Sequence, residues 1–174
     1  MSLSDKARSV TRLAAIVAMF GAIAGCQVRP LYSEGATGAP AQKLASIEVS
    51  EAEDRVGQEV RNRLIFLVAG GAGEPANAEY KLALNVTRTV TGVLYETDEA
   101  DTADAGRVTV TADYNLSRAD TGQTVKSGNR RAVALVDFPD QEFAKLRAIR
   151  DAENRAAREL AEIIRADLAA ALGR

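Results

Sequence analysis

Apolar and polar positions change rhythm several times along this chain. Ile47 and Val49 alternate with Ser46, Glu48 and Ser50, the two-residue period of a short strand. Asp54 then precedes Val56, Val60, Leu64 and Val68, which recur every four residues with Leu67 beside them. That spacing predicts a helix with one apolar stripe, capped by Asp54 and stopped by Gly70-Gly71. From Tyr80 the period returns to two: Tyr80, Leu82, Leu84 and Val86 face one way in a run that continues to about Tyr95. An acidic stretch from Glu96 to Gly106 separates it from a third strand, with Val108, Val110, Ala112, Tyr114 and Leu116 on one face. Ala119-Asp-Thr-Gly122 is a turn signal. A fourth strand follows over about 123–136, where Val133 and Leu135 make the better apolar face. Phe138-Pro139-Asp140 ends the sheet, and Asp140 caps a helix over 141–172. Its apolar side runs through Phe143, Leu146, Ile149, Ala152, Ala156, Leu160, Ile163, Ile164 and Leu168.

The order β-α-β-β-β-α, with one apolar face per element, predicts an α+β two-layer sandwich. Both helices pack on one face of a four-stranded, mostly antiparallel sheet. The other face is left open and polar, lined by Lys81, Asn85, Thr87, Thr89, Thr91, Thr109, Thr111, Asp113, Asn115, Lys126 and Arg130. Such a face is either simply solvated or used for contact with a partner or ligand.

The N-terminal segment follows different rules. Lys6, Arg8 and Arg12 precede the apolar run from Leu13 to Ile23, too short for the roughly 20 residues that span a bilayer as a helix. Ile23-Ala24-Gly25-Cys26 then matches a lipobox. The expectation is a lipoprotein signal peptide over 1–25, cleaved between Gly25 and Cys26. A lipidated N-terminus and flexible tether would span 26–43, and the folded domain 44–174. Cys26 is the chain's single cysteine, and it stands where lipidation needs a thiol. It would carry diacylglycerol and an N-acyl chain; two or more chains hold a membrane stably where one does not. In the enteric sorting pattern, Asp after the cysteine retains a lipoprotein in the inner membrane, so Gln27 points to the outer membrane.

Composition narrows the chemistry further. With no histidine, the commonest general base and metal ligand is missing, and no Ser-His-Asp triad can form. There is no nucleophile elbow, phosphate loop or dinucleotide fingerprint, so no catalytic residue, metal site or dissociable cofactor is expected. Asp98, Glu99, Asp101 and Asp104 do not have EF-hand spacing and read as a solvated hairpin loop. A net charge of −2 does not suggest nucleic-acid binding. Arg88, Lys126, Arg130 and Arg131 are candidate contacts for the phosphate and carboxylate groups of an anionic glycolipid; the alternative is ordinary surface charge.

The lipobox cysteine is followed at once by Arg29-Pro30-Leu31-Tyr32 after Gln27-Val28. This resembles the LptE family of lipopolysaccharide-assembly lipoproteins in its alphaproteobacterial form. Ile47-x-Val49, Arg55-x-Gly57, Arg61-Asn62-x-Leu64, Tyr80-x-Leu82, Tyr114-x-Leu116, Gly122 and Asp151-Ala152 with Arg155 agree in order. The resemblance implies two helices on a four-stranded sheet and a non-enzymatic role. It implies an outer-membrane plug for the β-barrel LptD, which it helps to assemble, and a part in lipopolysaccharide delivery to the outer leaflet. A competing reading is an auxiliary lipoprotein of another envelope lipid-transport system.

Overall fold

The structure is a computed structural model that describes residues 38–95 and 103–173. The signal segment, Cys26 and most of the tether lie outside the described residues, as does most of the acidic loop. Three helices and four strands follow in the order α1 (Ala39–Ala45), β1 (Ile47–Val49), α2 (Arg55–Val68), β2 (Tyr80–Tyr95), β3 (Ala103–Arg118), β4 (Thr124–Asp137) and α3 (Glu142–Leu172).

The strands lie in sequence order in one mixed sheet. β1 runs parallel to β2 over three residues, from Ile47 opposite Tyr80 to Val49 opposite Leu82. The crossover between them is α2, as a parallel connection requires. β2, β3 and β4 form an antiparallel meander; Tyr80 faces Arg118, Leu116 faces Lys126 and Ala105 faces Asp137. The turn into β4 carries Gly122 at φ 69°, where a side chain would be strained.

The core lies between the sheet and the two long helices. Val60 and Leu64 of α2, Leu82 of β2, Val108, Val110 and Leu116 of β3, and Leu160, Ile164 and Leu168 of α3 are at most 1% exposed. Burial on this scale contributes about 1.5–3 kcal/mol per large side chain. Much of α3's buried stripe is alanine (Ala152, Ala156, Ala157, Ala161 and Ala169), which lets its backbone lie close to its neighbours. Asp54 caps α2 as expected: its carboxylate accepts from the Gly57 N–H at 2.7 Å. Gly70 and Gly71 follow the helix at positive φ.

Several details differ from the sequence reading. Part of the stretch read as tether is the short helix α1, started by Pro40 and tied down by buried Leu44. Lys43 Nζ also donates to the Leu172 carbonyl at 2.9 Å. The N-cap of α3 is Gln141, not Asp140, and no side chain caps it. Phe143 and Leu146 are not core residues; they are 85% and 47% exposed. At about 1.5 Å per residue, a 31-residue helix is about 46 Å long, and its first turns outrun the core.

The largest correction concerns β4. Ala132, Ala134 and Val136 face the helices and are buried, whereas Val133 is 45% and Leu135 69% exposed on the open side. α3 packs against this strand, and the side chains buried beneath it are two alanines and Val136, which leaves the Val133 and Leu135 pair outside. Gly128 of the same strand is small for another reason: an added Cβ there would lie 2.6 Å from the hydroxyl of Tyr114 on β3.

Candidate functional site

The face of β4 decides where the candidate cations lie. Side chains alternate along a strand, so a one-residue difference in parity moves every one of them across the sheet. Arg88, Lys126 and Arg130 fall on the helix side and Arg131 alone on the open side. Lys126 and Arg130 therefore do not belong to the open face, and the expected Lys126–Arg130–Arg131 cluster is split by the sheet.

Arg130 is engaged. Its Nε lies 2.7 Å from Asp167 of α3, and the same carboxylate accepts from the Tyr114 hydroxyl at 2.6 Å. Burial and that hydrogen bond push the Tyr114 phenol up to about 12. Burial also pushes the Asp167 carboxyl upward, but bonds from Tyr114 and Arg130, with the charges of Arg130 and Lys126, outweigh it and hold the group below its ordinary range. Together these groups fasten the C-terminal half of α3 to β3 and β4.

Arg88 is engaged in the other half of α3. It lies 3.1 Å from Glu153, whose second oxygen is paired with Arg55 at the start of α2. Arg55 also donates to Asn154 at 2.7 Å. Glu153 is only 4% exposed, and a buried carboxylate persists only when paired. Glu153 was missed by the sequence reading. Its signal was present: a charged residue four after Ile149 and three before Ala156, inside an apolar stripe.

The open face is built differently. Thr87 faces Thr111 and Thr89 faces Thr109 across β2 and β3; Arg131 and Val133 continue those rows on β4. Beyond them lies a shallow depression of about 540 Å³, lined on this side by Ala83, Asn85, Asp113, Asn115 and Ser127, with Ser50 at its edge. Asn129 fixes the Asp113 carboxylate by a 2.7 Å hydrogen bond. Its surface is mostly apolar, with hydroxyls, amides and one carboxylate among the lining residues and no nucleophile–base pair. Among the described residues no cluster of His, Cys, Asp or Glu could hold a metal ion, and no helix is long and apolar enough to cross a membrane.

A family model described as "LptE: Lipopolysaccharide-assembly" matches residues 43–168. The chain belongs to the LptE family. Its structure is similar to that of a candidate lipoprotein from Caulobacter crescentus CB15, at 30% identity and a TM-score of 0.62, covering 76% of this chain and 95% of the other. A minor lipoprotein from Acinetobacter baumannii shares the fold at 11% identity, with a TM-score of 0.54 over 71% of this chain and 88% of that one. No curated protein matches the chain in sequence. The family assignment makes this LptE protein a lipopolysaccharide-assembly lipoprotein of the cell envelope. LptE is not a known enzyme family.

Proposed function

We propose that this chain is anchored in the outer membrane by lipid on Cys26, that it plugs and helps assemble the LptD β-barrel, and that it assists lipopolysaccharide transport to the outer leaflet. The observation that carries the reading is the family match over nearly all of the folded domain, on a chain that also bears a lipobox ending in its single cysteine. Physical chemistry supports it. A barrel lumen is polar, so a plug needs a closed core under a polar surface. The threonine and asparagine rows of the open face meet that need, as do the exposed charges on the helix backs, such as Arg147, Arg150 and Arg158.

The test is a mild-detergent pull-down of the tagged full chain from envelopes, with bound proteins identified by mass spectrometry. One large β-barrel recovered in near-equal amount is the expected result. Recovery with an inner-membrane transporter and no barrel would overturn the plug reading in favour of an auxiliary lipoprotein of another lipid exporter. In the same strain, Cys26→Ser should leave unprocessed precursor; a variant still cleaved and membrane-bound would overturn the lipid anchor.

A further inference from the structure

We infer that the free edge of β2, from Val86 to Gly92, is where two copies of this chain pair, antiparallel and edge to edge, so that two four-stranded sheets join into one. The inference concerns the chain before it meets any barrel and does not depend on the function proposed above.

The first observation is that the two edges of the sheet are finished differently. Backbone groups alternate in direction along a strand, so every second residue turns its N–H and C=O to the edge. On the outer side of β4, two such carbonyls are taken by arginine. Arg130 donates to the Asn129 carbonyl at 2.9 Å, and Arg155 of α3 donates to the Leu135 carbonyl at 3.0 Å. Lys126, Arg130 and Arg131 also put charge along this strand. Charge on an edge opposes the addition of another strand.

β2 has no such finish. β1 covers it only from Tyr80 to Leu82, and Ser50 extends the cover by one step. The Ser50 N–H donates to the Leu82 carbonyl at 2.9 Å, and its hydroxyl accepts from the Leu84 N–H at 3.0 Å. Those bonds fix the parity: Val86, Arg88 and Val90 turn their backbone groups the same way. Among the described residues those outward groups have no partner. The run Val86-Thr-Arg-Thr-Val-Thr-Gly92 is rich in β-branched residues and lacks proline, lysine and any carboxylate, a composition that favours strand pairing. Its one charge, Arg88, is drawn to Glu153.

The second observation is that this edge is complementary to itself. With Thr89 on the two-fold axis, Arg88 of one copy stands opposite Val90 of the other, and Val86 opposite Gly92. Each pair exchanges both backbone bonds. On the open face Thr87 then meets Thr91 and Thr89 meets Thr89, pairs that suit an antiparallel ladder. This register uses the whole run to Gly92, where the pairing of β2 with β3 first shifts. It also keeps the two Arg88 side chains from standing directly opposite. The same operation on β4 brings Arg130 and Arg131 of two copies together, like charge against like.

The test is oxidative cross-linking of the purified full chain in mild detergent. The pairing sets the two Thr89 Cα atoms about 4.5 Å apart, within disulfide reach. Thr89→Cys should therefore give a covalent dimer on mild oxidation. Thr87→Cys, whose copies stand out of register with each other, should stay monomeric. So should Thr109→Cys on β3 and the unsubstituted chain with Cys26 alone. Added to Thr89→Cys, the pair Thr87→Glu and Thr91→Glu sets like charges opposite each other across the interface. It should cut the dimer about fivefold or more. Position 91 lies opposite Arg107 in its own sheet, which accepts a carboxylate. Val90→Pro removes an outward N–H and should act in the same direction. Circular dichroism would confirm that each variant is folded. A Thr89→Cys chain that stays monomeric would overturn the inference and leave the edge to this chain's own N-terminal segment or to a foreign strand. Equal dimer from all three cysteine variants would overturn it as random collision. Dimer undiminished by both blocking changes would overturn the edge pairing. None of these results bears on the barrel, which the pull-down tests.

Discussion

The two faces of the sheet use arginine in opposite ways. On the helix side, Arg88 and Arg130 end on Glu153 and Asp167 of α3, so their charges are spent holding a helix in place. On the open side, Arg131 is the neighbour of Arg130 in sequence and has no such partner among the described residues. Residue type alone does not separate Arg130 from Arg131; the strand parity does. Arg88 and Arg130 remain 48% and 41% exposed, so their pairing ties α3 to the sheet without the cost of burying a charge, while Arg131 stays solvated.

The sharpest way to probe this division is to remove bulk from each face. Leu116→Ala on the helix side deletes a fully buried side chain and should cost about 2–5 kcal/mol by denaturant unfolding. Thr109→Ala on the other face of the same strand should stay within about 0.5 kcal/mol. Comparable losses would mean that both faces are packed.

A smaller effect is expected at Gly128. Alanine there places a Cβ against the Tyr114 hydroxyl and ring, so either the ring or the strand must shift. The expected loss is about 1–3 kcal/mol, with the near-ultraviolet tyrosine signal altered. An unchanged signal and unchanged stability would show that Tyr114 is not seated against β4.

The Tyr114–Asp167 bond gives a pH signature. The Tyr114 pKa is raised to about 12 by burial and by donation to Asp167. Its contribution is therefore complete below the free tyrosine value of about 10 and is lost as pH rises towards 12. Asp167 is held low, so its contribution is present above the free carboxylate value of about 3.9 and is lost as pH falls through its depressed value. Tyr114→Phe should remove the alkaline loss and lower stability at neutral pH by about 1.5–3 kcal/mol, the range for a hydrogen bond to a charged group. An alkaline transition that persists in Tyr114→Phe would place its origin elsewhere.

Much of this architecture is legible from periodicity. The stripe of Val56, Val60, Leu64 and Val68 and the alternation through β2 and β3 place those elements because apolar residues of similar size mark one face unambiguously. β4 fails for a specific reason. Ranking by hydrophobicity favours Val133 and Leu135, but the helix side of the strand carries Ala132 and Ala134 beneath α3 and Gly128 against Tyr114, which carry little hydrophobic signal. Arg130 and Lys126 were misplaced with them. Phe143 and Leu146 fit the helical period of α3 yet stay exposed, because periodicity does not say how far a helix outruns the core beneath it. The depression was not legible, since it depends on cross-strand register between Asn85, Asp113 and Asn129.

The most direct test of this two-faced account is the thermal unfolding of Arg130→Glu beside Arg131→Glu at neutral pH. The first sets a carboxylate against Asp167 and should lower the midpoint clearly; the second should leave it within about 2 °C. A large loss in Arg131→Glu with none in Arg130→Glu would reverse the strand parity, and with it the assignment of the open face.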